Sequence, residues 1–197
     1  MNYIVVTPAT VEPLTLEQAR RHLRVEAFGA PLAHPDDDDI EMSIKTARQW
    51  CEQYTERSFA VQTIEFALDG FPNNEIKLPL SPIATLDSVK FINSLEMEET
   101  VLSGNYYLDV YSMPNWLLLR NNNRWPSGQA GSNTVKIRVT TSSQEIPAPV
   151  KSAMKLIVGH LYENRQQDVL GNTRISFNSL PLGVESLLAP YRLGIGM

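Results

Sequence analysis

The segment between residues 146 and 165 constrains the fold most strongly, because it predicts one long amphipathic helix. Its apolar residues recur at intervals of three and four, the period of a helix that buries one stripe. They are Val150, Ala153, Met154, Ile157, Val158, Leu161 and Tyr162. Pro147 and Pro149 lie where a helix tolerates proline, since its first N–H groups lack partners. Gly159 costs roughly 1 kcal/mol relative to Ala, so packing against other elements must hold this helix.

Composition and charge exclude several classes of protein. Hydrophobic residues make up 43% and charged residues 20% of the 197, as in ordinary soluble domains. A formal net charge of −5 disfavours a protein that mainly grips nucleic acid or anionic membranes. Cys51 is the only cysteine, which excludes an intrachain disulfide and a cysteine-based zinc site. With no signal-peptide pattern and no apolar run near ~20 residues, we expect a cytoplasmic protein, or one of a particle assembled there, without a membrane partner.

Two further helices are predicted in the first third of the chain. Thr15 and Gln18 have the spacing of a capping box, so a short helix begins at about Thr15. A second helix continues to about Thr55 and begins at an acidic run, where negative charge favours the positive end of a helix dipole. This run consists of Asp36, Asp37, Asp38 and Asp39.

The middle third changes to a strand-like period. Ile64, Phe66 and Leu68 alternate with polar residues, as in a half-buried strand. Turn residues separate further candidate strands at residues 75–78, 88–92, 100–102, 106–110, 116–119 and 134–140. We predict an α+β fold in one domain, residues 1–197, with a mostly antiparallel β region at 61–142 inserted into a helical core at 14–60 and 146–192.

The C-terminal segment, residues 180–192, predicts a short helix from about Leu182 to Ala189 that is too short to be stable alone. It therefore docks on a partner or packs back onto its own core. The residues assigned to this candidate interface are Leu180, Pro181, Leu182, Val184, Leu187, Leu188, Tyr191 and Arg192.

No catalytic or cofactor motif is present. The sequence lacks the phosphate-binding, dinucleotide-binding, zinc-protease and serine-hydrolase patterns. A nucleophile–base pair of Cys51 and His160 is disfavoured, because Cys51 falls on the apolar side of its helix. The aspartates offer oxygen ligands for Mg²⁺ or Ca²⁺, but consecutive residues point around a helix in different directions, which favours a solvated cap. We expect no enzyme activity, no cofactor and no metal.

Two features indicate nucleic-acid binding only weakly. Arg20, Arg21 and Arg24 form a basic helix face, and Arg124 precedes Trp125 on a predicted loop. We interpret the arginines as a solvated face and the tryptophan as packed beside its own β region.

Four segments together resemble the head–tail connector proteins of tailed bacteriophages and gene-transfer agents, also called adaptor or head-completion proteins, in the subset with a β insertion. They are LTLEQARRHLRV, DDDDIEMSIKTARQWCEQYTERSF, IPAPVKSAMKLIVGHLYENRQ and LPLGVESLLAPYR, in this order. The resemblance covers less than half of the chain. The acidic run is longer than in the family, so its extra acids have no family role.

The resemblance implies a structural virion protein of the neck, assembled in the bacterial cytoplasm. It implies a ring of about twelve copies beneath the portal protein, a head-to-tail assembly, that joins the DNA-filled head to the tail. A tail-side neck protein, or stopper, is the other partner. DNA passes through the channel without specific binding, and the aspartates are candidates to face that channel. The alternatives are a stopper or tail-terminator, a metal-dependent hydrolase or nuclease accessory that uses the aspartates, and a DNA-binding regulator that uses the three arginines.

Overall fold

The computed structural model describes residues 1–28, 33–73, 75–121, 123–129, 131–142, 145–164 and 182–193. In this part of the chain, four helices and two antiparallel sheets confirm the α+β class. The chain divides into two compact units. The β unit comprises Met1–Val11 and Glu56–Gln144, and the helical unit comprises Glu12–Thr55 and Glu145–Met197. The single connector domain stays a prediction.

The four helices of the helical unit lie where the sequence places them. They are α1 (Leu16–Leu23), α2 (Asp37–Thr55), α3 (Ala148–Glu163) and α4 (Leu182–Leu188), and a 3-10 turn at Ala189–Tyr191 follows α4. The capping box is confirmed, because the Thr15 hydroxyl accepts from the backbone N–H of Gln18 while the Gln18 side chain accepts from that of Thr15. Arg24 then ends α1 in a left-handed conformation, with φ of 57°.

The core of the helical unit is built from the predicted stripes. The first five residues of the α3 stripe are buried, while Leu161 and Tyr162 are half-buried. The face of α2 that contains Ile40, Ile44 and Ala47 is buried as well. Packing of this apolar stripe against other elements, rather than intrinsic helix propensity, provides most of the stability of such a helix.

The described residues of the β unit form eight strands in two sheets. They are β1 (Asn2–Thr7), β2 (Thr63–Leu68), β3 (Ile76–Leu78), β4 (Ile83–Ile92), β5 (Glu98–Thr100), β6 (Tyr106–Asp109), β7 (Asn115–Leu119) and β8 (Val135–Thr141). The larger sheet has the order β1-β2-β8-β4-β5, and the smaller has the order β3-β7-β6. The prediction for β4 was too short, because its first half is mostly exposed and lacks an apolar alternation. β5 begins two residues earlier than predicted, at three exposed residues.

The first strand, β1, lies at the edge of the larger sheet. It pairs antiparallel with β2, with Tyr3 opposite Phe66 and Val5 opposite Ile64. Its residues Tyr3–Val6 are β-prone, but their partner lies about sixty residues away and no local pattern identifies it. β1 therefore belongs to the β unit, although the next element in sequence is α1.

The tryptophan of the predicted loop packs against the core of the β unit. Trp125 stacks on Phe71 with ring centroids 4.9 Å apart and 3° between the planes. Tyr106 also lies beside Trp125, at 6.1 Å. The interpretation of Trp125 as a packing residue is confirmed. Among the described residues, every helix is too short or too polar to cross a bilayer.

Candidate functional surfaces

Part of the acidic run at the start of α2 connects this helix to its neighbours. Both Asp37 carboxylate oxygens face Arg20 of α1, with a distance of 2.7 Å from Arg20 Nε to Asp37 Oδ1. The backbone N–H of His34 also donates to Asp37, at 2.8 Å. The Arg20 side chain, followed by this backbone donor, lowers the pKa of Asp37 below its ordinary value. Asp37 therefore stays ionised and ties α1 to α2.

Asp36 makes the equivalent link to α3. Its carboxylate accepts a hydrogen bond from the Tyr162 hydroxyl at 2.7 Å, and its backbone carbonyl accepts from the N–H of Ile40 at 2.9 Å. Asp38 and Asp39 are exposed. The four aspartates therefore divide into two that hold helices together and two on the surface.

This division bears on the alternative that the protein is a metal-dependent hydrolase or nuclease accessory. Asp36 and Asp37 already direct carboxylate oxygens at side chains of α3 and α1. Within the described ranges, no group of three or more His, Cys, Asp or Glu residues is arranged to hold a metal ion. What the arrangement does is join the start of α2 to α1 and α3.

The residues of the candidate C-terminal interface also divide into buried residues and residues with exposed surface. Val184 and Leu188 of α4 are fully buried. Leu187 and Tyr191 are half-buried, and Arg192 is exposed. Three predicted interface residues remain. Leu180 and Pro181 lie outside the described residues. Leu182 is the first residue of α4, and its side chain is not among those described.

The segment that follows α4 returns to the end of α2. The backbone N–H of Leu193 donates to the carbonyl of Thr55 at 2.9 Å. The Arg192 guanidinium lies 5.6 Å from the ring centroid of Tyr54, which itself stacks on Trp50 at 5.2 Å. These contacts fix α4 on its own unit and leave one side of the segment at the surface.

Cys51 and His160 are not arranged as a nucleophile and base. Cys51 is fully buried, and burial raises the pKa of its thiol to about 12. The thiol is therefore protonated at neutral pH, whereas the thiolate is the reactive form. Nδ1 of His160 lies 3.2 Å from the amide nitrogen of Asn164, one turn along the chain.

The basic face of α1 is largely neutralised. Arg20 is paired with Asp37, and Arg21 is paired with Glu17 of the same helix at 2.7 Å. Arg24 provides the left-handed end of the helix. Two of the three arginines thus already have carboxylate partners, which weakens the interpretation of a DNA-binding face.

One buried charged cluster escaped the sequence analysis. Arg48 of α2 is almost fully buried, and it contacts Glu12 and Glu52 at 2.7 Å each. The cluster fixes the segment that precedes α1 onto α2. The spacing of Arg48 and Glu52, one helical turn apart, was the available signal, but such pairs are usually exposed.

No protein-family model matches the sequence, and neither does any curated protein. Solved structures do match over the full length. A chain in the neck of an empty gene transfer agent (GTA) particle computed with C6 symmetry has a TM-score of 0.77 and 21% identity, covering 100% of this chain and 98% of that chain. The chain has the fold of a GTA neck chain.

Two further matches cover the same shares of each chain. A chain in the virion of a native GTA particle has a TM-score of 0.74 and 21% identity. A chain in the neck of a native GTA particle computed with C12 symmetry has a TM-score of 0.71 and 20% identity. The resemblance stated from the sequence is therefore confirmed at the level of the fold, and the match includes the β region as well as the helices.

Proposed function

We propose that this chain is a structural neck protein of a gene-transfer agent or a related tailed particle, and that it is not an enzyme. Copies of the chain, about twelve of them in a head-to-tail ring, lie beneath the portal protein and join the DNA-filled head to the tail. The observation that carries the proposal is the full-length match in fold, at a TM-score of 0.77, to a chain in a GTA particle neck. The buried Cys51 thiol and the internally engaged Asp36 and Asp37 agree with a passive, mechanical role.

The C-terminal segment supplies the proposed contact to the portal protein or to a neighbouring copy. Since Val184 and Leu188 pack inside the helical unit, the contacting groups are those left at the surface, Leu187, Tyr191 and Arg192. The variant Leu187→Asp is expected to keep the fold and to block attachment of the protein to portal-bearing heads. Attachment of this variant at the wild-type level would contradict the assignment.

Asp38 and Asp39 are the proposed channel-facing acids. Negative charge on a channel wall avoids the salt-dependent affinity that basic residues gain from DNA phosphates. The variant Asp38→Lys/Asp39→Lys should slow DNA exit from assembled particles. Lysine at the exposed Glu96 and Glu163 makes the same change in net charge elsewhere and serves as the matched control. Equal rates of DNA release from particles with the two variants would contradict the assignment of Asp38 and Asp39 to the channel wall.

Production of particles without this chain tests the proposed function. DNA-filled heads are expected to accumulate without tails, and supplying the chain in a second copy should restore tailed particles. Electron microscopy of the purified particles gives the readout. Complete, tailed and transfer-competent particles made without the chain would contradict the proposal.

A further inference from the structure

β1 is held in the larger sheet mainly by its backbone. All six of its residues are exposed, and its four large apolar side chains, Tyr3–Val6, are each between 41% and 63% exposed. The ring of Tyr3 contacts that of Phe66 edge-on, with 6.1 Å between the centroids. Buried apolar surface provides most of the free energy that holds an element in a fold. Release of β1 therefore costs less than release of an interior strand.

β2 depends on a strand at its edge. It lies between β1 and β8 in the sheet, and its residues Ile64 and Phe66 are fully buried in the core of the β unit. When β1 is released, β2 stays in place and its outward N–H and C=O groups lose their partners. An edge of this kind pairs with a strand of another chain. The strand that matches it in register is β1, with Tyr3 opposite Phe66 and Val5 opposite Ile64.

The connection that follows β1 has the features of a hinge. Pro8 and Pro13 bias the residues before them towards extended backbone, yet the chain bends between these prolines, at Thr10 and Val11. Both bend residues are exposed, and no backbone hydrogen bond between described residues closes the bend. Straightening the connection therefore breaks no such bond and agrees with the preference of its two ends. An extended connection lets β1 pair with the β2 of another copy.

Beyond the hinge, the chain is fixed to the helical unit. Arg48 contacts the carboxylate of Glu12 at 2.7 Å, and Leu14 is only 1% exposed. The Thr15 hydroxyl then caps α1. The mobile part is thus β1 with its connection at 8–11, and four residues of extended chain span up to roughly 13 Å. β1 can therefore change its partner while the helical unit keeps its structure.

We infer that β1 is exchanged around the neck ring, so that β1 of one copy pairs with β2 of the next. This inference rests on the proposed function, which supplies the ring, and chains of this fold occur in necks computed with C6 and C12 symmetry. The exchanged strand keeps the register and the hydrogen bonds that it has within one copy, which makes exchange a low-cost route to assembly. Each copy gives one strand and receives one, which is a head-to-tail contact that closes in a ring.

Disulfide cross-linking within the β1–β2 register tests the exchange. Ile4 and Glu65 lie opposite each other, and opposite residues of antiparallel strands are close enough for a disulfide. The variant Ile4→Cys/Glu65→Cys therefore forms its disulfide on mild oxidation whether the strands belong to one copy or to two. The free chain is expected to run as a monomer under denaturing conditions, and assembled particles are expected to give a ladder of covalent multimers. Cys51 does not interfere, because it is fully buried and its thiol pKa is about 12.

A second register pair provides the control. Tyr107 and Leu118 lie opposite each other in β6 and β7, so particles with Tyr107→Cys/Leu118→Cys should give monomers with an internal disulfide. A ladder from the β1–β2 pair that is absent from this control supports the inference. Only monomers, no disulfide, or an equal ladder in the control overturn it and leave the proposed function intact. Tailed particles that lack this chain in their necks overturn both.

Locking β1 before assembly tests whether the exchange is required. Oxidation of the free Ile4→Cys/Glu65→Cys chain ties β1 to its own β2, where the two residues are already opposite each other. The oxidised chain should fail to restore tails to heads made without this protein, and reduction of the disulfide should recover them. Asn2→Cys/Ala67→Cys, another pair of the same register, replaces this variant if loss of Glu65 blocks assembly. Equal restoration by the oxidised and reduced chains overturns the inference, whereas heads that even the wild-type chain leaves tailless contradict the proposed function.

Discussion

The four consecutive aspartates at the start of α2 have the same side chain but different structural roles, as Asp36 and Asp37 show. The sequence presents four equivalent aspartates, yet Asp37 pairs with Arg20 and Asp36 accepts a hydrogen bond from Tyr162. These two contacts join α2 to α1 and α3. Asp38 and Asp39 are left at the surface, so the acidic run serves stability at its start and exposes charge at its end.

Replacement of Asp37 by Asn is expected to destabilise the protein, because the Arg20 pair loses its anionic partner. Asp38→Asn, at the neighbouring exposed position, should leave the stability nearly unchanged. Urea unfolding followed by the fluorescence of Trp50, which lies in α2, compares the two variants. Equal unfolding midpoints for Asp37→Asn and Asp38→Asn would show that the pair with Arg20 contributes nothing.

The contribution of Asp37 should also depend on pH. Its pKa is lowered in the folded protein, chiefly by Arg20, so the folded state binds this proton less tightly than the unfolded state. The stabilisation is fully present above the ordinary aspartate pKa of about 3.9 and is lost as pH falls through the lowered value. The difference in stability between wild type and Asp37→Asn should therefore be constant from neutral pH to about pH 5 and shrink in acid. A difference that grows on acidification would contradict this linkage.

Arg48 provides the sharpest stability prediction. Removing one member of a buried ion pair typically costs about 3–5 kcal/mol, because the remaining charge stays buried without its partner. Arg48→Met should reduce the free energy of unfolding by this order, because it leaves Glu12 and Glu52 without their cation. The triple variant Arg48→Met/Glu12→Gln/Glu52→Met should recover much of the loss. Urea unfolding measures both, and a triple variant less stable than the single one would mean that the charges themselves stabilise the fold.

At the scale of elements, the periodicity of apolar residues identified the helices and most strands. Local patterns could not identify which strands pair or which side chains contact each other across the fold. The stripe of α3 and the capping box of Thr15 are encoded within a few residues, so both were predictable. The pairing of β1 with β2 and the burial of Arg48 depend on residues far apart in sequence. The role of Asp36 depends in the same way on Tyr162, which is distant in the chain.

The α4 element combines a buried side with a surface side, and point variants separate them. Leu188→Ala should lower the free energy of unfolding by about 2–5 kcal/mol, as for large-to-small changes in a core. Leu187→Ala, at the half-buried neighbour, should cost clearly less. Urea unfolding of both variants provides the comparison. Equal losses would show that α4 does not pack as described, and that the candidate C-terminal interface must be reassigned.

At the scale of the whole molecule, we propose that the chain is a passive component of a particle neck. Two compact units, an α+β fold and a full-length match to GTA neck chains are the observations behind it. The function could be proposed from four short segments of sequence, because these segments resemble the head–tail connector proteins.

Imaging the neck of particles that contain this chain tests the central claim most directly. An electron cryomicroscopy reconstruction of purified particles should show the present fold repeated in a closed ring of about twelve copies, between the portal protein and the tail. A neck in which this position is filled by other proteins, with this chain absent, would contradict the account.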